Sequence, residues 1–337
     1  MSVKKKIKET YGLIATEIFS FGPYKAFRTP GTMCLIVPVS QIEEDELYEL
    51  YHMSQYLYEK ADPYVAQFMV ARNGSIFMEH DNQKYVVFKC ANNNEGRSLS
   101  KGRELARFHQ KGRSFPYEVI KTNRIGQWKQ LWEKRLDQLE NFWRGKVQAH
   151  PLDHFEKLFI ESFPYYVGLA ENSIQYLVDT ELDDEPQPID SATICHHRFT
   201  GNVWRQDQLI KLPIDWVFDH ASRDIAEYMR DQFFNQQTQF RDSVFLFAEE
   251  YDRTTPLSAF SWRLMFSRLL LPVHYFECIE NYYLSPETEN PYYERKLKDL
   301  LSRSSEYEEF LAEFHQMLSM RTKKIYLPNI EWLSYTS

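Results

Sequence analysis

The feature that most constrains the fold of this chain is a change of pattern near residue 92. Before it, short β-prone segments alternate with turn residues and one helical stretch. After it, apolar residues recur at helical spacing almost to the end of the 337 residues, which is enough chain for two lobes. A polar stretch at 92–96 separates the two patterns. We predict an α+β protein with a small N-terminal lobe at 1–92, built from a five-stranded sheet plus one helix, and a helical C-terminal lobe at 93–337.

The first 90 residues contain the signals of a small mixed sheet. Apolar segments at 13–19, 24–29 and 33–39 are separated by Gly/Pro turns. Ser40 with Glu43 three residues later has the form of a capping box and predicts a helix that runs to about Lys60. A hairpin around 73–74 and a strand at 85–90 complete the lobe.

The remainder of the chain is predicted to be mainly helical. Three short β-like pieces interrupt it at 192–195, 202–204 and 209–212. The predicted helices cover 99–111, 127–142, 153–180, 223–233, 243–251, 256–283, 292–302 and 306–320.

Composition and charge exclude several classes of function. The net charge is -8 and no long basic stretch occurs, which disfavours a nucleic-acid partner. The longest apolar run, 33–39, is far too short to span a membrane, and no apolar region follows the N-terminal lysines. We therefore expect no membrane insertion and a protein that stays inside the cell. The four cysteines are scattered, which is typical of free thiols in a reducing compartment.

Glycine is scarce, with 11 residues in the whole chain. No two glycines have the spacing of the Gly-rich loops that hold phosphates through backbone N–H groups. Gly22 is the only glycine at the first predicted turn. A backbone cradle for phosphates is therefore missing.

One segment has the layout of a phosphotransferase catalytic loop. A β-like piece ends at Cys195, a polar loop reaches Asn202, and Asp215 follows thirteen residues later. In such enzymes a loop carboxylate accepts the proton of the attacking hydroxyl, while an asparagine and a second aspartate bind magnesium. Here His197 stands five residues before Asn202, at the position of the base.

This layout resembles the H-x-D-x-x-x-x-N loop of aminoglycoside and choline kinases. The segment 105–109 (LARFH) looks like the LAxxH helix of that superfamily, and 223–226 (RDIA) looks like its RDLA helix start. Within the superfamily the chain resembles the CotS-type kinase-like spore coat proteins, as the segments 155–159 (FEKLF) and 163–166 (FPYY) indicate.

The resemblance implies a two-lobed protein-kinase-like fold of the aminoglycoside phosphotransferase type. It also implies a component of the bacterial endospore coat that acts in coat assembly or sporulation. Such a protein would be made in the mother-cell cytoplasm, and its partners would be other spore coat proteins.

Departures from the family pattern predict that catalysis is lost. His197 replaces the base aspartate, and Ile36 or Val37 stands where the phosphate-gripping lysine belongs. No Lys or Arg occurs between Thr29 and Glu59. Only Asn202 and Asp215 remain, as relict magnesium positions. We therefore expect a pseudokinase that uses no cofactor.

Two other functions stay open. The chain could be an active atypical small-molecule kinase that uses Mg-ATP with His197 as base, because a neutral imidazole can accept a proton. It could also be a small-ligand-binding module on the same fold.

The polar residues around the loop have plainer structural interpretations. A metal cluster of the neighbouring histidines, aspartates and Cys195 is disfavoured, because His196 and His197, adjacent at a strand end, should point to opposite faces. Asp224 is expected to accept N–H bonds from the loop near His196. His109 is expected to be a hydrogen-bonded core histidine.

Overall fold

The computed structural model describes residues 2–91, 100–151, 153–204, 209–235 and 240–319. By its internal contacts the chain forms two compact units. The first unit contains Met1–Arg124, Ala192–Asp224 and Leu246–Pro256, and the second contains Ile125–Ser191, Ile225–Phe245 and Leu257–Ser337. The polar stretch at 92–96 lies outside the described residues, so a lobe boundary near residue 92 stays a prediction.

The first unit is built on a six-stranded antiparallel sheet, one strand more than predicted. The hydrogen-bonded order is β1-β2-β3-β6-β4, and β5 pairs with β6. The strands are β1 (Ile18–Phe21), β2 (Tyr24–Thr29), β3 (Thr32–Pro38), β4 (Gln67–Phe68), β5 (Met78–His80) and β6 (Gln83–Cys90).

A helix that the sequence analysis missed, α1 (Val3–Tyr11), covers part of this sheet. Ile7 and Tyr11, four residues apart, lie on one face of α1 and pack in a cluster with Phe27, Ile36 and Val87 of the strands. Because α1 is rich in lysine, its narrow apolar face was not recognised from the sequence.

The second helix, α2 (Glu44–Glu59), begins four residues after the predicted capping serine. The hydroxyl of Ser40 instead accepts the backbone N–H of Lys84, in β6, at 3.0 Å. The helix buries a stripe of apolar residues: Leu47, Leu50, Met53 and Leu57.

The first unit also contains α3 (Lys101–Gly112) and a two-stranded sheet, β7 (Thr193–His196) with β8 (Trp216–Asp219). Helix α3 passes close to β7 at Gly112, where an added Cβ would lie 2.5 Å from Thr193 Oγ1. The predicted β-like piece at 202–204 is a turn, and the piece at 209–212 forms one bridge, between Lys211 and Val65.

Helices make up most of the rest of the described chain. The predicted helix at 256–283 is two helices, because Pro272 ends the first one and begins the second. No helix among the described residues is long and apolar enough to cross a membrane. The helices are α4 (Trp128–Ala149), α5 (His154–Asp183), α6 (Ser222–Asn235), α7 (Phe240–Thr254), α8 (Ala259–Leu270), α9 (Val273–Leu284), α10 (Asn290–Ser302) and α11 (Ser304–Ser319).

Candidate functional site: the loop after strand β7

The loop that follows β7 brings two of the predicted site residues together. Strands β7 and β8 pair antiparallel with His196 opposite Trp216. The backbone N–H of His197 then donates to the carbonyl oxygen of Asp215 at 2.7 Å. Asp215 ends a short 3-10 turn immediately before β8, rather than lying on the strand itself. His197 and Asp215 are therefore neighbours, while their roles as base and magnesium position stay predictions.

The third predicted site residue, Asn202, lies in an exposed turn five residues beyond His197. Within the described part of the chain, no hydrogen bond joins Asn202 to Asp215. The ammonium group of Lys101, at the start of α3, donates to the carbonyl oxygen of the adjacent Gly201. The loop end is thus held through its backbone, and the structure leaves the magnesium role of Asn202 a prediction.

The two adjacent histidines point in opposite directions, as expected for a strand end. His196 is 1% exposed, whereas His197 is exposed. The backbone N–H of His196 donates to Asp224 Oδ1 at 2.9 Å, and its Nδ1 lies 2.7 Å from Asp224 Oδ2. The predicted structural role of Asp224 is confirmed.

His109 is part of the same buried network. Its Nε2 lies 3.1 Å from Asp224 Oδ2 and its Nδ1 lies 2.8 Å from the hydroxyl of Tyr251. Burial lowers the pKa of His109 to about 4, because the hydrogen bond and charge of Asp224 offset only part of the desolvation. His109 is therefore a neutral, hydrogen-bonded core histidine at pH 7, as predicted.

This network also limits the interpretation of the site as a metal centre. In the described residues, ligand atoms of His109, Cys195 and Asp224 lie within 4.8 Å of one another, a set that differs from the one considered from sequence. Asp224 already binds both His109 and His196, and burial holds the pKa of Cys195 well above its usual value. A hydrogen-bonded core satisfies these groups without an ion.

Desolvation and nearby positive charges both act on His197. Its side chain is exposed, yet desolvation by the protein near it is the main reason that its pKa falls to about 4. The guanidinium groups of Arg223, Arg124 and Arg198 lower the pKa further. At pH 7 the imidazole is neutral, and the imidazolium that proton abstraction would form is disfavoured.

Asp215, whose carbonyl oxygen accepts the N–H of His197, has a different electrostatic environment. Burial raises its pKa, and among the described residues no Lys or Arg offsets that shift; only His196 lowers the pKa slightly. Tyr24, the first residue of β2, lies close enough for the carboxylate of Asp215 to help raise the tyrosine pKa, after burial, to about 12. The charge of Asp215 therefore acts on an aromatic side chain of β2, while among the described residues no Lys or Arg acts on Asp215.

These residues fit a magnesium–nucleotide site poorly. Magnesium in kinase sites is usually held by one or two carboxylates together with the substrate phosphates. Here the donors are one carboxylate with a raised pKa and one exposed amide.

The lysine position on β3 is filled by apolar residues on both faces of the sheet. Ile36 is 4% exposed and belongs to the cluster under α1, while Val37, the next residue, points to the opposite face and is 1% exposed. Strand β3 therefore offers a nucleotide no charged side chain at position 36 or at position 37.

Helix α2 is anchored by an interaction that the sequence analysis missed. The carboxylate of Glu49 accepts backbone N–H groups of Ile120, Lys121 and Thr122, each at 2.8 Å, and the hydroxyl of Thr122. Burial alone would raise the pKa of Glu49, but these four donors outweigh burial and lower it. The segment after α3 therefore fixes α2.

Lys211, which lies between Asn202 and Asp215 in the sequence, was also missed. It is 0% exposed, and its Nζ lies 2.7 Å from Asp62 Oδ2 and 2.6 Å from Glu104 Oε1. The rings of Trp204 and Phe108 lie 4.8 and 5.2 Å from the ammonium. Lys211 stands in an apolar β-like piece, and nothing in the sequence around it indicated that it would join this network.

The fold and the loop define the class of protein. The chain superposes on an aminoglycoside phosphotransferase from Alicyclobacillus acidocaldarius with a TM-score of 0.68 at 16% identity, covering 95% of this chain and 97% of that one. It superposes on a microcompartment-associated aminopropanol kinase with a TM-score of 0.59 at 11% identity, covering 92% and 97%. The protein has the aminoglycoside phosphotransferase-like kinase fold, as predicted.

Sequence similarity then narrows the class to a family. The family described as "Spore coat putative kinase YutH" matches residues 4–314, and the chain belongs to it. The chain is 52% identical over 332 residues to the "Endospore coat-associated protein YutH" of Bacillus subtilis (strain 168), covering 98% of each. The resemblance to kinase-like spore coat proteins is confirmed.

Proposed function

We propose that this protein is a non-catalytic, kinase-like component of the bacterial endospore coat. The names of its family and of its Bacillus subtilis relative support the coat location. In this proposal the chain is made in the mother-cell cytoplasm, is deposited on the forespore surface, and binds other coat proteins. It acts in coat assembly as a pseudokinase, without a cofactor.

The observation that carries the proposal is the apolar β3 strand. Phosphoryl transfer depends on positioning and on charge stabilisation of the transferring group, which are the largest contributions to catalysis. Ile36 and Val37 are both buried and apolar, so neither face of β3 offers a cation. The sequence has no Lys or Arg between Thr29 and Glu59 that a small shift in alignment could move into place.

The loop supports the same conclusion. A general base contributes about 10²–10⁴-fold to rate, and the base must accept a proton at the working pH. Desolvation and the charges of three arginines hold the pKa of His197 at about 4, so a protonated state is disfavoured. In the described part of the loop, no second carboxylate accompanies Asp215 to help hold magnesium.

One observation keeps an active atypical kinase as a second candidate. His197 is exposed, neutral at pH 7 and adjacent to Asp215, which is where a base would be needed. Mg-ATP turnover that depends on His197 would favour this candidate.

The proposal is tested with spores that produce the His197→Ala and Asp215→Asn variants. Both side chains are exposed, so both variants should fold. We expect wild-type amounts of each variant in coat extracts, and wild-type resistance to heat and lysozyme. The matched comparison is Asp224→Ala, which leaves two buried histidines without their acceptor and should lower the amount of protein. A folded His197→Ala or Asp215→Asn variant that fails to enter the coat would contradict a role without catalysis.

A further inference from the structure

We infer that two copies of this chain associate through strand β1, which pairs antiparallel with β1 of the second copy. The strand forms an edge of the sheet in the first unit, and the proposed coat role makes no use of it. The inference adds self-association to that role and does not depend on the loss of catalysis.

Strand β1 pairs on one side only, with β2. In an antiparallel pair, residues whose N–H and C=O groups point at the partner strand alternate with residues whose groups point away. The N–H of Arg28 donates to the carbonyl oxygen of Glu17 at 3.4 Å, so this oxygen points at β2. By the same alternation, the backbone groups of Ile18 and Ser20 point away from β2. Among the residues that the structure describes, these outward groups have no hydrogen-bond partner.

The opposite edge of the sheet is covered in part by the chain itself. It consists of two short strands, β4 with two residues and β5 with three. Just before β4, the N–H of Ala66 donates to the carbonyl oxygen of Lys211 at 2.9 Å, and the N–H of Lys211 donates to Tyr64 at 2.8 Å. Unpaired strand edges attract further strands, and proteins usually shorten or cover them. The edge at β1 is therefore the one that a further strand can join.

The side chains of β1 favour a second copy as the partner. The sequence of 18–21 (IFSF) contains three apolar residues and neither a charge nor a proline. Two chains with a net charge of -8 each can therefore meet at β1 without placing like charges opposite each other. Ser20 is exposed, and Ile14, four residues before the strand, is 67% exposed. The edge thus offers apolar surface as well as backbone groups.

A two-fold axis at Phe19 uses every outward backbone group of the strand. In that register Ile18 of each copy lies opposite Ser20 of the other, and each pair exchanges its N–H···O=C hydrogen bonds. Ile18 packs against the cluster that contains α1, so Phe19 lies on the other face of the sheet, where the two Phe19 rings meet across the axis. A contact of this symmetry is closed, and the expected assembly is a dimer.

The test is sedimentation equilibrium of the purified full-length protein from about 1 to about 200 μM, because a small edge contact gives weak association. We expect a monomer–dimer equilibrium in the wild type. Ser20→Pro should weaken dimerisation about tenfold or more, since it removes an N–H that points away from β2 and leaves the β1–β2 pair intact. The matched control is Ser20→Thr, which keeps the N–H and should dimerise like the wild type.

A covalent trap tests the register. Phe19→Cys places the two new thiols opposite each other at the axis, at a Cα separation that a disulfide allows. A mixture of reduced and oxidised glutathione should therefore give a disulfide-linked dimer of this variant. Tyr117→Cys, at a position outside the sheet that is 58% exposed, should stay unlinked under the same conditions. The four native cysteines are buried and do not compete.

Three results would each overturn the inference: a wild type that stays monomeric over the whole concentration range, a dimer that Ser20→Pro leaves unchanged, or no disulfide in Phe19→Cys. A monomeric wild type would leave β1 to a strand of a different protein. If the proline variant does not fold, the wild type and the disulfide decide. The outcome is separate from the proposed function, because Mg-ATP turnover would overturn that function in a dimer as in a monomer.

Discussion

Replacing Lys211 with Met should destabilise the protein strongly, because Lys211 is the shared partner of two carboxylates. Its Nζ lies 2.7 Å from Asp62 and 2.6 Å from Glu104, and it has no exposed surface. Asp62 is 2% exposed, and after the substitution its remaining cation among the described residues is Lys111 at 3.6 Å. Removing one partner of a buried ion pair typically costs about 3–5 kcal/mol, against a total stability of about 5–15 kcal/mol for a domain.

The assay is urea unfolding followed by tryptophan fluorescence, since the ring of Trp204 lies 4.8 Å from the ammonium. The control is Lys298→Met, which breaks an exposed pair with Glu294 and should cost about 0.3–0.5 kcal/mol. Adding Asp62→Asn and Glu104→Gln to Lys211→Met should recover much of the loss by removing the unpaired charges. A Lys211→Met variant within about 1 kcal/mol of wild type would refute this reasoning.

Three further predictions concern single positions. Glu49→Gln should destabilise the protein at pH 7 by about 1–3 kcal/mol. Because folding lowers the pKa of Glu49, its carboxylate contributes fully to stability at pH values above its unfolded pKa. That contribution is lost as the pH falls through the folded pKa. The difference in unfolding free energy between variant and wild type, measured in urea, should therefore close in acid. Gly112→Ala should cost about 1–3 kcal/mol by thermal unfolding, since its Cβ would lie 2.5 Å from Thr193 Oγ1. Gly145→Ala, in α4 with open space around it, should instead be neutral or stabilising. His197→Asp should show no magnesium-dependent ATP consumption with a panel of hydroxyl acceptors, because β3 still lacks its cation; turnover well above background would contradict the pseudokinase interpretation.

The sequence predicted those parts of the fold that depend on local pattern. Segments 24–29 and 85–90 were recognised as strands because β-prone residues lie between turns, and both are strands in the structure. Helix α1 was missed because its apolar face holds few residues among four lysines. The start of α2 was misplaced because the Ser40 hydroxyl could accept an N–H either from the helix or from a strand. In the structure it accepts the N–H of Lys84, in a strand that is distant in sequence.

The site was predicted as far as chain order determines it. The pairing of β7 with β8 places His197 next to Asp215. Because successive side chains of a strand point to opposite faces, His196 is buried and His197 is exposed. Lys211, Glu49 and Arg124 could not be found in this way. Each depends on partners or neighbours that lie far along the chain, and a single sequence does not show which charges the fold will bring together.

The central claim is that the fold no longer holds a nucleotide for phosphate transfer, and calorimetry with Mg-ATP on the purified protein tests it most directly. The apolar positions 36 and 37, the raised pKa of Asp215 and the lowered pKa of His197 predict no saturable heat at ATP concentrations up to about 100 μM. Magnesium-dependent binding with a Kd tighter than about 100 μM, roughly 5.5 kcal/mol of binding free energy, would contradict the claim.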